Sequence, residues 1–475
     1  MSLASRIKAH LPHSKDSSST SNDNSTTPTT IGKELNEGSA SESKRGKEIL
    51  SVFDNAFGHL VAGDAGAIQS KFRKMAASSF AFYRGSAPLF YKDLEPEADE
   101  GPFLDEKTSR VWIHGDLHAE NMGTYMDSQG RLIFNVNDFD EAYVGPFTWD
   151  LYRLVASLGL LGYGKALSDD QISNLVKAYA EAYRERIHVL ATAGRGKVPR
   201  FGLDTCQGPL LDALKKARTQ SRFELLDGST EVIDAERRFK RGSGVIELED
   251  DMRNKVKEAF NNYLKNLPHS DHRGSCRVKD VIARRGVGIG SAGLPTYNVL
   301  VEGETEALEY DRIVYLKQSQ PSAVSRHVNV PEAQQYFKHE GHRTVISQRA
   351  LQDHADPWAG WAEIEGEGYM ASEVSPYAID FEWNDINDIE EMVSVVADLG
   401  RATAIMHGAA DEDSQHSGLV QFDTEQAIDA AISKDEAGFE RLLLDFAHKY
   451  SARVREDHRL FVDMFRNGQV PGLES

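Results

Sequence analysis

Residues 110–154 of the chain read RVWIHGDLHAENMGTYMDSQGRLIFNVNDFDEAYVGPFTWDLYRL. The short apolar run Val111–Ile113 predicts a strand that leads into a polar loop. Two further apolar runs flank the turn Ser128-Gln129-Gly130 and predict a strand pair. A second polar loop and the entrance of a helix follow. The stretch therefore predicts two acidic loops, each at the end of an apolar strand.

Both loops carry oxygen ligands. Asp116 and Asn121 lie in the first loop and Asp138 lies in the second, so this arrangement can bring the three side chains around one point. Hard oxygen ligands of this kind suit Mg²⁺, which binds one or two carboxylates together with water and substrate phosphates. Phosphoryl transfer needs such a set. One carboxylate orients or deprotonates the acceptor hydroxyl, while an amide and a second carboxylate hold metal ions on the phosphates.

The spacing H-G-D-x-x-x-x-N from His114 to Asn121 resembles the catalytic loop of the kinase-like phosphotransferases, such as aminoglycoside and choline kinases. The motif Asp138-Phe139-Asp140 resembles their metal-binding motif, and Asp150 in GPFTWDLYRL resembles their structural Asp-Leu. A single HGD triplet is a weak signal, because aspartates in turns are usually only turn formers. The combination of these features is much more specific.

The resemblance implies a role for each matching residue. Asp116 and His114 are the candidate catalytic residues, with Asp116 orienting the acceptor hydroxyl. Asn121 and Asp138 are the candidate metal ligands.

A nucleotide-binding segment is missing before the first acidic loop but is predicted later in the chain. Gly288, Gly290 and Gly293 form G-x-G-x-x-G between two strand-like runs, and Lys317 ends the run RIVYLK. Glycines let backbone N–H groups approach phosphate oxygens, and a lysine on the neighbouring strand can pair with the α- and β-phosphates. We therefore expect these residues, with Ser291, to hold ATP. A strand follows the glycines, which disfavours dinucleotide binding; a glycine-rich hairpin with an exposed lysine is the alternative.

The sequence leaves the partner of Lys317 open. A predicted helix over NVPEAQQYFKHEGHRTVISQRALQ offers Glu332 and Glu340, and Gln348 could take the polar role. Of these, Glu340 is assigned to the ATP site. The segment SPYAIDFE would form a hinge between two lobes, and residues 388–407 have the apolar spacing of a helix.

These motifs together predict an α+β, two-lobed protein-kinase-like fold that is circularly permuted, with the catalytic-lobe motifs first. Such a rotation is tolerable because domain termini lie at the surface and often close together. We expect a disordered tail over residues 1–47, where Ser, Thr, Asn and charged residues dominate. A catalytic region follows over 48–274, with an insert at about 194–274. A nucleotide-binding region over 275–380 and a helical return to the catalytic lobe over 381–475 complete the chain.

Nearly the whole chain after the tail resembles the domain-of-unknown-function 2252 (DUF2252) family. The matching pieces are KMAASSFAFYRGSA, HGDLHAENMG, NDFDEA, GVGIGSAG, VYLKQ and SQRALQ. The resemblance implies a kinase-like fold and names no substrate. The chain departs from the family at Ile346-Ser347, where the family's helix usually reads Glu-Gly.

Composition restricts the function further. The 475 residues carry a net charge of −20, which disfavours non-specific nucleic-acid binding because that needs clustered Lys and Arg. No apolar run approaches the length of a membrane span. Two cysteines cannot form a disulfide framework, which suggests a reducing, cytoplasmic setting.

We therefore expect an ATP- and Mg²⁺-dependent phosphotransferase with an unknown hydroxyl-bearing substrate and neither nucleic acid nor membrane as partner. Transfer of AMP on the same scaffold and a non-catalytic ATP sensor or scaffold are the alternatives. Near the first loop, Arg84 could clamp a phosphate, although pairing with a carboxylate is favoured. For His118, a structural hydrogen-bonding role is favoured over ligand binding.

Overall fold

The computed structural model describes residues 31–95, 101–193, 200–242, 244–268, 274–284, 293–352, 354–410 and 418–470, with only the backbone given for 31–43 and no side chain given for residue 62. The chain divides into two compact units, Met1–Arg45 and Gly46–Ser475. In the first unit the described residues, 31–45, are helical. All that follows concerns the second unit.

Helices account for much of the described chain. They are α1 (Ile31–Ala76), α2 (Ser79–Gly85), α3 (Ala87–Leu94), α4 (Phe147–Gly164), α5 (Asp169–Ala193), α6 (Gly208–Arg218), α7 (Arg222–Ser229), α8 (Asp250–Lys265), α9 (Pro331–Tyr336), α10 (Glu340–Leu351), α11 (Ile389–His407), α12 (Thr424–Ile432) and α13 (Glu436–Arg466). Helix α1 is interrupted at Asp64, whose backbone is not helical and whose carboxylate accepts a hydrogen bond from the Ala67 backbone N–H.

The strands fall into four antiparallel sheets. They are β1 (Val111–Ile113), β2 (Met122–Met126), β3 (Leu132–Val136), β4 (Tyr143–Gly145), β5 (Thr230–Ile233), β6 (Glu236–Phe239), β7 (Val245–Ile246), β8 (Val278–Arg284), β9 (Thr296–Val301), β10 (Arg312–Gln318), β11 (Gly360–Ile364), β12 (Glu367–Glu373) and β13 (Ile379–Asp380). The largest sheet has six strands in the order β11-β12-β10-β9-β8-β7. Strands β13, β2 and β3 form a three-stranded sheet, and β1 pairs with β4.

The six-stranded sheet has two different faces because successive side chains along a strand point in opposite directions. On one face Val299, Leu316 and Ala371 pack against Phe260 and other apolar residues of α8. On the other face, Met370 of β12 packs against α10. Lys317 lies opposite Met370 in the β10–β12 pairing, so its side chain belongs to the α10 face.

A larger apolar core joins α1–α5 and α11–α13 with the smaller sheets. Helix α5 shows how the sequence specifies these elements. The Ser168 hydroxyl accepts from the Gln171 N–H, while the Gln171 side chain accepts from the Ser168 N–H, which is a reciprocal cap. Its apolar residues at helical spacing, including Leu175 and Tyr179, are fully buried.

Most predicted elements around the acidic loops are confirmed. The strand Val111–Ile113, the pair β2–β3 around the predicted turn, and a helix at Ile389–His407 are all present. The mixed α+β class is confirmed as well.

Other expectations differ from the structure. Helix α1 begins at Ile31, so residues 31–47 of the predicted disordered tail are helical, while residues 1–30 lie outside the described residues. The helix predicted over 329–352 is two helices, α9 and α10, because His339 is extended and caps α10 by accepting from the His342 N–H. Strand β7 and helix α8, from the predicted insert, belong to the six-stranded sheet and its covering layer.

The packing of α10 on β12 gives a first testable prediction. A β-carbon on Gly341 would lie 2.4 Å from the Tyr369 backbone, so Gly341→Ala should lower the free energy of unfolding by about 1–3 kcal/mol. This is expected although alanine favours a helix more than glycine does. Urea unfolding would measure the difference. The control Gly228→Ala, on α7 with no atom within 4 Å, should be neutral or stabilising; equal effects of the two substitutions would contradict the packing argument.

Candidate active site

The loop between β1 and β2 is held by a buried carboxylate. Asp150, in the first turn of α4, accepts hydrogen bonds from the backbone N–H groups of His114 (2.7 Å) and Gly115 (2.9 Å). His407, the last residue of α11, places its Nε2 3.1 Å from the same carboxylate, and the Tyr183 hydroxyl lies 2.8 Å from its Nδ1. His407 Nε2 therefore donates to Asp150, and Tyr183 donates to Nδ1. The network fixes the backbone from which Asp116 projects.

Gly115 is required by the shape of this loop. Its φ is +76°, in the left-handed region, and a β-carbon here would lie 2.2 Å from the Glu141 carbonyl oxygen. The Tyr91 hydroxyl donates to the Gly115 carbonyl. The glycine of the HGD triplet thus lets the first acidic loop pass directly against the second.

Both ring nitrogens of His114 are used within the protein. Nε2 donates to the carbonyl of Asn137 at 2.8 Å, and Nδ1 accepts from the backbone N–H of Asp116 at 3.2 Å. The ring is fully buried. This geometry favours a positioning role, in which His114 links the two acidic loops, over the direct catalytic role predicted for it.

Asp116 keeps one carboxylate oxygen free of strong partners. Its Oδ1 pairs with the buried guanidinium of Arg153 at 2.6 Å, and that guanidinium lies over the Tyr83 ring at 4.3 Å. Its Oδ2 lies 3.9 Å from Nε2 of His118. Burial, together with the charge of Arg84, holds the pKa of His118 well below its usual value, so that ring is neutral. The arrangement leaves Oδ2 as the oxygen that can meet a ligand.

The predicted metal ligands lie beside Asp116. The Asn121 side-chain nitrogen donates to the Asp116 carbonyl at 2.9 Å, so its amide oxygen is the atom suited to a cation. Asp138 has a φ of +59°, in the left-handed region that few non-glycine residues adopt, and it lines a small cavity together with Asp116. Desolvation, followed by the negative charge of Asp140, raises the pKa of Asp138. A cation would relieve this repulsion.

Lys317 reaches the same place from the six-stranded sheet. Its amine forms an ion pair with the carboxylate of Asp140, 177 positions earlier in the chain. Burial acts to lower the pKa of Lys317, but the carboxylates of Asp140 and Asp138 outweigh it and raise the pKa. The structure therefore brings the predicted lysine to the second acidic loop.

Glu340 is not the partner that the sequence suggested for Lys317. At the start of α10 its carboxylate pairs with Arg343, one turn later, at 2.5 Å. Arg343 is buried and donates to the backbone carbonyls of Asp140 (2.8 Å) and Ala142 (2.7 Å), which fastens α10 to the second loop. Helix α10 presents an arginine, rather than Glu340, to the second loop. Asp140 therefore supplies the negative charge that neutralises Lys317.

Four carboxylates line one cavity, which we call the carboxylate cavity: Asp116, Asp138, Asp140 and Glu141. Its volume is about 90 Å³, comparable to about three water molecules. That space fits a hydrated ion or a phosphoryl group. Leu294, which follows Gly293, also lines it.

Of the three glycines in the predicted G-x-G-x-x-G loop, Gly293 lies among the described residues. Gly293 has a φ of +83°, in the left-handed region that favours glycine. Gly288, Gly290 and Ser291 lie outside the described residues.

Of the two predicted metal ligands, Asp138 lines the carboxylate cavity, whereas Asn121 is not among the described residues that line it. Among the described residues, no three His, Cys, Asp or Glu side chains form a group that could hold a metal ion. Magnesium is commonly bound by one or two carboxylates together with phosphates and water, so a magnesium ion here would be held by Asp138 and completed by substrate phosphates.

The sequence patterns did not identify several residues of the site. Arg153 lies three residues after Asp150, and this helical spacing places both on the face of α4 that meets the loop. Arg343 and His407 carry no local signal because their partners are distant in sequence.

Glu141 follows the D-F-D motif directly, and burial raises its pKa to about 7 although the Ala323 N–H donates to it. The predicted pairing of Arg84 with a carboxylate is present, with Glu120 at 2.5 Å.

A larger cavity of about 1060 Å³ lies elsewhere, between β3, residues 200–205 and α11. It is lined by none of the predicted site residues, so its size does not identify the chemical site.

In the described part of the chain, every helix is too short or too polar to span a lipid bilayer. Cys206 and Cys276 are buried and are not joined in a disulfide.

A family model described as "Uncharacterized protein conserved in bacteria (DUF2252)" matches residues 64–464. No curated protein and no solved structure matches the chain.

The Asp150 network predicts a large effect of a small change. In Asp150→Asn, an amide NH₂ would face donors that now share a carboxylate, so the free energy of unfolding should fall by about 1.5–3 kcal/mol. Urea unfolding is the measurement, and the exposed control Asp212→Asn on α6 should stay within about 0.5 kcal/mol of wild type. If Asp150→Asn lowered the free energy of unfolding no more than its control does, the network would not contribute to stability.

The raised pKa of Glu141 predicts a pH effect with a definite sign. Its folded-state pKa of about 7 lies above the ordinary value of 4.5, so ionisation of this group costs stability as pH rises from about 4.5 to 7. Glu141→Gln removes that cost and should be more stable than wild type at pH 8 by about 1–3 kcal/mol, with little difference at pH 4.5.

Urea unfolding at the two pH values would test this. The exposed variant Glu258→Gln on α8 serves as a control that should show no such dependence. A difference between Glu141→Gln and wild type that is the same at both pH values would refute the assignment.

Proposed function

The chain belongs to the DUF2252 family, as its motifs predicted, and we propose that it is an ATP- and Mg²⁺-dependent phosphotransferase. In this proposal it transfers the γ-phosphate of ATP to a hydroxyl group on a small molecule or a protein.

One observation carries the proposal. Lys317, on the central strand β10 of the six-stranded sheet, forms an ion pair with Asp140, and Asp116 and Asp138 line the same cavity as Asp140. A lysine on a sheet, a base and a metal-binding carboxylate around one small cavity form the set that phosphoryl transfer requires. A glycine-rich hairpin with an exposed lysine, the alternative considered above, would not account for this ion pair.

The residues take the following roles. Lys317 and the glycine-rich segment hold the phosphates of ATP. Asn121 and Asp138 would hold magnesium, which neutralises the charge that develops on the phosphates. Asp116, fixed by Arg153, orients the acceptor hydroxyl with its Oδ2.

The transfer balances without any further reactant. The acceptor oxygen forms a bond to the γ-phosphorus, the bond from that phosphorus to the β,γ-bridging oxygen breaks, and ADP leaves. The acceptor proton passes to Asp116. Positioning by the Asp150 network and His114 keeps Asp116 in place during this step.

The fold that we propose for this chemistry is two-lobed, kinase-like and circularly permuted. The six-stranded sheet with α8 and α10 would be the nucleotide lobe, and the helical core with β1–β4 would be the catalytic lobe. Strand β13, which pairs with β2, lies within SPYAIDFE, the segment proposed as the hinge. The proposed nucleotide region then starts at about residue 245 rather than at 275, because β7 lies in the sheet. We place the protein in the cytoplasm, where ATP is available and free thiols such as Cys206 persist.

Label transfer tests the function. Wild-type protein, γ-labelled ATP, Mg²⁺ and a bacterial extract should give a labelled acceptor. Asp116→Asn should reduce the rate by about 10²–10⁴-fold, because it removes the base. Asp212→Asn, exposed on α6, is the matched control and should transfer label at the wild-type rate.

Other outcomes separate the alternatives. Transfer of label from the α-position of ATP, with the mass of AMP added to the acceptor, would replace phosphate transfer by AMP transfer. Tight binding of ATP and Mg²⁺ with no turnover in any extract would instead support a sensor or scaffold.

A further inference from the structure

Lys71 of α1 is a buried amine that faces the carboxylate cavity. Its side chain is 4% exposed, it lines the cavity, and its amine lies 4.0 Å from the centre of the Phe57 ring. Within the described residues the amine makes no hydrogen bond and has no carboxylate within 4.0 Å. The Phe57 ring is an aromatic partner that does not neutralise the charge of this buried amine, so a ligand that supplies the negative charge is expected.

The other cations near the cavity are already engaged. Arg153 pairs with Asp116, and Lys317 pairs with Asp140. Among the described residues that line the cavity, Arg84 pairs with Glu120, and the exposed Arg326 donates to a backbone carbonyl on α1 at 3.5 Å. Among the described lining residues, Lys71 and Arg326 have no carboxylate partner, and of these two Lys71 is the buried one.

An anion that entered this cavity would meet four carboxylates. Magnesium at Asp138 would offset part of that repulsion. Of the described α1 residues that line the cavity, Lys71 is the charged one. The volume of about 90 Å³ matches a phosphoryl group.

We propose that Lys71 binds the phosphoryl group in transit, contacting the γ-phosphate oxygens of ATP across the cavity from Asp138. This inference rests on the phosphotransferase proposal above and adds a residue to it. Lys71 holds the transferred group beside Asp116 while Lys317 holds the remaining phosphates. Nothing in the kinase-like motifs assigns a role to this lysine, which precedes the HGD loop by more than forty positions.

The ionisation of Lys71 supports the assignment. Burial lowers the pKa of Lys71 to about 8, against the opposing effect of Glu141 and Asp116. The amine is therefore mostly charged at pH 7 and loses its charge as the pH rises through about 8. Besides those two carboxylates, the charged groups around the cavity are Asp138, Asp140, Arg84 and Arg326.

Nucleotide binding provides a direct test that needs no acceptor. Calorimetric titration of the full chain with Mg·ATP and Mg·ADP should show that Lys71→Met weakens ATP about 10- to 100-fold. The affinity for ADP, which lacks the γ-phosphate, should be unchanged. Arg73→Met, exposed two residues later on α1, is the control and should keep both affinities.

A second variant guards against a folding effect. Lys71→Arg keeps the positive charge at all accessible pH values, so it should retain the preference for ATP. It should also remove the loss of that preference that wild type shows between pH 7 and 9. If the role of Lys71 were only structural, the variants would keep the wild-type ratio of ATP affinity to ADP affinity and the wild-type pH dependence of that ratio.

The failures can be told apart. If wild type prefers ATP and Lys71→Met keeps the same ATP-to-ADP ratio, the role of Lys71 is refuted and the phosphotransferase proposal stands. If wild type binds neither nucleotide, both proposals are overturned together.

Discussion

The carboxylate of Asp150 is the fixed point around which the candidate site is built. It accepts two backbone N–H groups of the HGD loop and one imidazole N–H from the end of α11. All of these groups are buried, so each donor would be left unsatisfied without the carboxylate. The bonds join α4, the loop and α11, and they set the direction in which Asp116 leaves the backbone. The positions of Asn121 and His114 follow, since both hydrogen-bond to the backbone of Asp116.

A second set of contacts joins the six-stranded sheet to the acidic loops. Arg343 donates to the carbonyl of Asp140, within the D-F-D-E segment, and to that of Ala142, directly after it, and Lys317 pairs with the side chain of Asp140. The backbone of the second loop and one of its carboxylates are thus held by two cations from different elements. Asp138, in its left-handed conformation, is left to face the cavity. Of these two carboxylates, Asp140 is paired with Lys317, and Asp138 is the one that we propose binds a cation.

The sequence predicted the parts of the site that local patterns encode. The strand–loop–strand order from Val111 to Asp138, the glycine in the HGD triplet, the helix ending at His407 and the lysine on β10 are all visible as runs and spacings. The partners of Lys317, Arg153 and His407 were not visible, because each pair is formed by side chains from separate elements. Glu340 illustrates the limit: its place near the start of a helix was predicted, but which side chain it meets depends on how α10 lies on the loop. The break at His339 was missed because it depends on the His339 side chain, which accepts a hydrogen bond from the backbone N–H of His342. The spacing of apolar residues does not indicate such a bond.

The distance along the chain between Asp150 and His407 also has a consequence for synthesis. The two residues are 257 positions apart, and Lys317 is likewise made long after the acidic loops. At about 5–20 residues per second, a ribosome needs on the order of 10–50 s to pass from one to the other. A nascent chain therefore carries its HGD loop without the third donor for that whole interval, and without the complete six-stranded sheet until residue 373 has been made. The interval leaves the early segment dependent on its own helices, or on a chaperone, to keep the exposed acidic loops from wrong pairings until His407 has been made.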